Sequence, residues 1–119
     1  MSSPQVQPSD PTANPVIRQE ILNLRGSIDN IDASLMYLLA ERFKCTRRVG
    51  ELKAHAGIAA SDPEREAAQI RRLTAIAEGA GLDTEFAEKF REFVVSETVR
   101  RHKLIAQEMG EAPPLDTVS

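Results

Sequence analysis

Residues 17–56 read IRQEILNLRGSIDNIDASLMYLLAERFKCTRRVGELKAHA, and their spacing decides the fold. Alternating steps of four and three from Ile17 meet Ile21, Leu24, Ile28, Ile31, Leu35, Leu38, Arg42, Cys45, Val49, Leu52 and Ala56. That period puts them on one face of a helix, an apolar seam broken by a single guanidinium. Lys53 follows Arg42 after about three turns, only about 20° around the same helix. Two cations therefore face a place where apolar side chains belong. A buried charge is costly unless an anion meets it. The seam alone leaves two readings: a structural ion pair with Asp32, Glu97 or a partner chain, or a ligand site.

Working outward, Asn14 followed by Pro15 is a capping side chain before a proline at the first helical position, and Gly57 supplies a stop. The resulting helix of about 40 residues exceeds the usual globular length, and the rest of the chain is too short to cover it. A second copy is the natural cover. Gly26 and Gly50 each weaken this helix by up to ~1 kcal/mol relative to Ala, and Gly50, beside Val49, permits a close helix crossing. A second helix starts at Asp62–Pro63, by cap plus proline or by the capping-box spacing of Ser61 and Glu64. Its apolar positions are Ala67, Ile70, Leu73, Ala77 and Ala80, and it ends around Gly79 and Gly81. Asp83 caps a third helix with Glu85 in its first turn, running to about Glu108, with Phe86, Phe90, Phe93, Val94, Leu104 and Ile105 expected to close the core. No strand period or internal repeat appears, so the fold class is all-α. Residues 1–14 read as a disordered tail, 15–109 as the folded domain, and 110–119, with Pro113 and Pro114, as a flexible tail.

Composition narrows the function. Charged residues make up 28% of the 119, with a formal net charge of −3, no Trp, one Tyr and four Phe. That balance argues against nucleic acid as a partner, which would demand a net basic face or interleaved aromatic and basic residues. The first residues carry neither a basic start nor an apolar run, so neither a signal peptide nor a membrane span is expected, and a cytoplasmic location is. Cys45, the only cysteine, is expected as a buried free thiol, and His55 and His102 lack the company a metal site requires.

Three further polar sets face inward or sit at helix starts. Arg25 lies beside Leu24 and Ile28 with Asp32 on nearly the same line, which a surface side chain along an apolar edge would also satisfy. Asp62, Arg65 and Glu66 share the first turn of the second helix; the acids suit the dipole, whereas Arg65 opposes it and needs a partner such as Gln69 or an anion. On the third helix, Glu97 and Arg101 have ion-pair spacing, and Thr98 and His102 are surface neighbours four apart. Cations converging in a helical interior imply a small, multiply negative ligand.

Arg25, then Ile28-Asp29-Asn30-Ile31-Asp32, Leu38-Leu39-Ala40-Glu41-Arg42, Val49-Gly50-Glu51-Leu52-Lys53 and Asp62-Pro63-Glu64-Arg65-Glu66 together resemble the all-α, type II chorismate mutases. Each motif is weak alone; their order and spacing are specific, and the likeness covers about residues 17–107. The resemblance implies an intertwined homodimer of three-helix chains whose long first helices pair. It implies the Claisen rearrangement of chorismate to prephenate, without cofactor, metal, nucleophile or covalent intermediate. Such a reaction needs a folded diacid held by its carboxylates and stabilisation of charge on the breaking ether oxygen.

By matching position, the resemblance has Arg42 bind a substrate carboxylate and Arg25 reach the same ligand from the other chain. Lys53 contacts a carboxylate and the ether oxygen, Arg65 lies near the other carboxylate, and Thr98 adds a hydroxyl where relatives often carry serine. Glu66 accepts from the substrate hydroxyl, helped by Asp62 or its backbone. His102 stands where relatives commonly carry Gln or Glu donating to the ether oxygen, a departure that would make the rate depend on pH near neutrality. An isochorismate pyruvate lyase would use the same cage on a related diacid, and a non-catalytic helical dimer regulating another shikimate-pathway enzyme would fill it with acids. Side-by-side assays on chorismate and isochorismate separate these readings.

Overall fold

The computed structural model describes residues 14–59 and 62–108. The expected tails, the Ser61 capping alternative and Pro113 and Pro114 lie outside those residues. Three helices follow one another: α1 (Pro15–Ala56), α2 (Pro63–Ala80) and α3 (Thr84–Glu108), with no strand among the described residues. No helix among them is long and apolar enough to cross a membrane.

The caps form as the sequence anticipates. Asn14 Oδ1 accepts from the backbone N–H groups of Val16 and Ile17 at 3.0 and 3.2 Å, satisfying donors the first turn leaves open. Gly57 takes the left-handed conformation at φ 68°, and the Ile58 N–H reaches back to the Lys53 carbonyl at 2.9 Å to end α1. Asp62 Oδ1 accepts from the Arg65 N–H at 3.0 Å ahead of Pro63, and Gly81 at φ 72° closes α2. Asp83 Oδ1 accepts from the Glu85 N–H at 3.2 Å, opening α3. Gly79 stays inside α2, so Gly81 alone supplies the stop.

The chain divides into two compact units between Ala40 and Glu41, inside α1. From residue 14 to 40 no side chain is buried: Ile31 is 64% exposed and Tyr37 77%, and Ile17, Leu24, Ile28, Leu35 and Leu38 are exposed as well. The seam is helical, as its period predicts, and within this first unit its described apolar side chains are not buried.

The second unit holds a small core of Ala77, Val94, Ile105 and Ala106, with α2 and α3 packed on each other. The buried face of α3 runs through Val94, Thr98, His102, Ile105 and Ala106. Of the positions expected to close the core, Val94 and Ile105 do so, whereas Phe86, Phe90, Phe93 and Leu104 are exposed, Phe93 to 74%. The stripe turned inward is the one carrying Thr98 and His102, because Gly50 on α1 leaves room for an imidazole there. A Cβ built at Gly50 would stand 2.9 Å from His102 Nε2. Cys45, expected buried, is exposed.

Candidate active site

The segment of α1 from Arg42 to Lys53 supplies the cations. Arg42 is half-buried, and its Nη1 donates to Thr98 Oγ1 at 3.2 Å. Thr98, fully buried, donates its hydroxyl hydrogen bond to the Val94 carbonyl at 3.0 Å, the back-bond typical of a mid-helix threonine. That leaves the Thr98 oxygen lone pairs for the guanidinium, so the hydroxyl steers Arg42 without competing for its charge. Burial pulls the Arg42 pKa down from its ordinary value, and the nearby Arg65 charge pulls it further. Two guanidinium groups close enough to repel each other make a site that favours an anion.

Arg65 projects from the first turn of α2, where Asp62 caps its backbone N–H. Together with Arg42, Cys45, Thr46, Val49 and Gln69 it lines a cavity of about 280 Å³. Glu66, half-buried, sits in the same turn, and its N–H is bonded to the Asp62 carbonyl at 3.0 Å. A second hollow, about 400 Å³ between α2 and α3, shares Arg42, Arg65 and Gln69, adds Arg72 and Arg91, and has apolar walls that include Leu73, Ile76 and Phe90.

His102 is 2% exposed, and its Nε2 lies 2.7 Å from the Thr46 carbonyl oxygen. A carbonyl only accepts, so Nε2 carries the proton and Nδ1 is left as a lone pair, buried and without a hydrogen-bond partner among the described residues. Burial lowers the His102 pKa; the Thr46 carbonyl raises it and the Lys53 charge lowers it, for a net shift below 6.5. Lys53 is half-buried and near enough to His102 for its charge to be felt.

Glu97 has other company. Arg100 donates to it twice, at 2.9 and 2.7 Å, and Arg101 once at 2.9 Å, and these bonds, led by those of Arg100, bring its pKa to about 2. The i, i+4 pair with Arg101 follows the spacing; the stronger share of Arg100 does not. Arg101 also lies over the Phe43 ring, 4.3 Å from its centre.

The second unit therefore brings together Arg42 with Thr98, Arg42 with Arg65, and His102 with Lys53. Arg25 is exposed in the first unit. The Thr46 carbonyl that holds His102 escaped the sequence reading, and Gln69, expected as a partner of Arg65, instead has its Oε1 accept from Arg91 Nη1 at 3.4 Å. The signal for Gln69 is its helical spacing from Leu73 and Ala77, both read as apolar positions of the second helix.

Comparison with known proteins identifies relatives of the chain. The type II chorismate mutase family profile matches residues 24–103. The T-protein of Enterobacter agglomerans is 33% identical over 95 residues, 76% of this chain and 26% of that protein. A bifunctional chorismate mutase/prephenate dehydratase of Neisseria gonorrhoeae is 41% identical over 73 residues, 61% of this chain and 19% of the relative. The chorismate mutase of Methanocaldococcus jannaschii is 27% identical over 90 residues, which cover 91% of that protein. The chain thus spans about a quarter of the T-protein but nearly the whole length of the archaeal enzyme. With a profile match running from the end of the first apolar turn through His102, the chain belongs to the type II chorismate mutase family.

Proposed function

We propose that the chain is a chorismate mutase, rearranging chorismate to prephenate in the biosynthesis of phenylalanine and tyrosine. The observation that carries this reading is the cavity in which Arg42 and Arg65 face the same space, with Arg42 braced by the buried Thr98. A diacid supplies the negative charge two adjacent guanidiniums call for, and a fixed pair of cations holds it folded for an intramolecular reaction. Lys53 and Arg42 stabilise the charge that grows on the ether oxygen as its bond breaks, which is where catalysis is concentrated. Glu66, with Asp62, accepts from the substrate hydroxyl.

His102 takes part differently from a free donor. Its Nε2 proton is engaged by Thr46. Its contribution is to hold α3, and with it Thr98, against the Arg42 turn of α1.

The active assembly in this reading is a homodimer in which a second copy lays its residues 17–38 seam on the uncovered apolar surface and brings its own Arg25 to the ligand. A cytoplasmic location and a partner enzyme of the same pathway belong to the proposal too. The relatives named bifunctional chorismate mutase/prephenate dehydratase carry two pathway activities in their name, which supports the second point.

The test is direct. Purified protein converts chorismate to prephenate, and Arg42→Ala and Lys53→Ala each lose at least about 100-fold in kcat/KM, the cost of removing a charged donor from a desolvated site. Full activity in folded variants would dismiss the site, and cleavage of isochorismate in preference to chorismate would redirect it to the lyase reaction.

A further inference from the structure

Gln69 has no part in the roles above, yet it is built into the same wall. It lies one turn beyond Arg65 on α2, is 8% exposed, and with Arg42 and Arg65 borders both the polar cavity and the second hollow. A buried amide is normally satisfied at both ends. One end is settled, because Arg91 of α3 donates to it at 3.4 Å. Guanidinium groups only donate, so the atom turned toward Arg91 is the oxygen, and the –NH2 is the end left over. Arg91 is itself fixed in the α2–α3 hairpin, half-buried, with its Nε enclosed.

We propose that Gln69 is a further substrate-binding residue, its oxygen anchored by Arg91 and its –NH2 presented to the anion held by Arg42 and Arg65. This rests on the chorismate mutase reading of that cavity. The physical case is one of charge. Arg42 and Arg65 line the same cavity, and the Arg65 charge adds to burial in lowering the Arg42 pKa. An amide at this place adds two donors without adding charge to a wall that already carries several guanidiniums. Those donors match the lone pairs a carboxylate retains after meeting a guanidinium, and they penalise a ligand with an apolar or donating group there, since the amide would then be buried unpaired. Arg91 is the positioning residue: it selects which face of the amide the ligand meets.

Steady-state kinetics on chorismate test this, with thermal unfolding as a check on folding. Gln69→Met keeps the length and removes the donors; KM rises about tenfold or more, the worth of a hydrogen bond to a charged group, while kcat changes little. Gln69→Glu keeps the acceptor for Arg91 and the fold but offers no donor, and raises KM further. Arg91→Met releases the amide and raises KM about threefold; Arg91→Lys, which retains a donor, recovers most of it. In the double variant Gln69→Met with Arg91→Met, KM is no higher than with Gln69→Met alone. An active wild type with an unchanged KM in Gln69→Met, or an Arg91 effect that adds in full to it, overturns this inference alone. A wild-type chain inert toward chorismate overturns the enzyme reading and this one with it.

Discussion

His102 and Gly50 form a single fitted contact, in which the missing side chain of one makes space for the ring of the other. Gly50→Ala would place a methyl 2.9 Å from Nε2, so the ring or α3 must shift, at a cost of roughly 1–3 kcal/mol for overpacking. Urea unfolding measures that loss, and an Ala variant as stable as the parent would show that the contact gives way freely. The imidazole also has a pH signature. Burial, reinforced by Lys53, outweighs the Thr46 carbonyl and keeps the folded pKa below 6.5. The unfolded chain therefore takes up this proton first as pH falls, and stability is lost from about pH 6.5 downward through the folded pKa. His102→Gln flattens the slope of Tm between about pH 7.5 and 5.5; an unchanged slope would assign the titration to another group. The sequence reading expected a pH effect near neutrality, because spacing places His102 beside Thr98 but says nothing of its burial. Desolvation moves the transition to the acid side.

At the scale of elements, the helix boundaries were legible because caps are local chemistry. Asn14, Asp62 and Asp83 accept from N–H groups two or three residues away, and Gly57 and Gly81 adopt a conformation that costs other residues about 1 kcal/mol or more. Asp62→Ala removes the α2 cap, at about 1 kcal/mol, and loosens the turn holding Arg65 and Glu66. The expected signature is a lower Tm together with a higher KM for chorismate; a lower Tm with KM unchanged would detach the cap from the site. Which residues of α3 turn inward was legible only in part. Val94 and Ile105 are buried as expected, but Thr98, His102 and Ala106 join them in place of Phe86, Phe90, Phe93 and Leu104. Helical period ranks faces by hydrophobicity, whereas packing ranks them by fit, and Gly50 fits an imidazole.

For the whole molecule, the long apolar seam is a statement about assembly. Ile17, Leu24, Ile28, Ile31 and Leu38 are all more than half exposed, and a surface this apolar and continuous marks an interaction face. In the proposed dimer, Tm rises with protein concentration, because association draws on the folded state. Ile31→Asp places a charge in the middle of the seam; sedimentation is expected to find it monomeric and the chorismate assay to find it inactive. A dimeric, active Ile31→Asp protein would rule out the seam as the interface.

The sequence by itself determined the three helices, their caps, the great length of the first and the polar residues set on inward faces, since period, capping and backbone freedom act within a few residues. Only the tertiary structure decided that Arg42 is braced by Thr98 and shares its cavity with Arg65, that the His102 proton belongs to Thr46, and that Gln69 turns to Arg91. Those pairings join residues as far as 56 positions apart. Their geometry depends on how closely two helices approach, and where α1 meets His102 of α3 the absent side chain at Gly50 leaves the room.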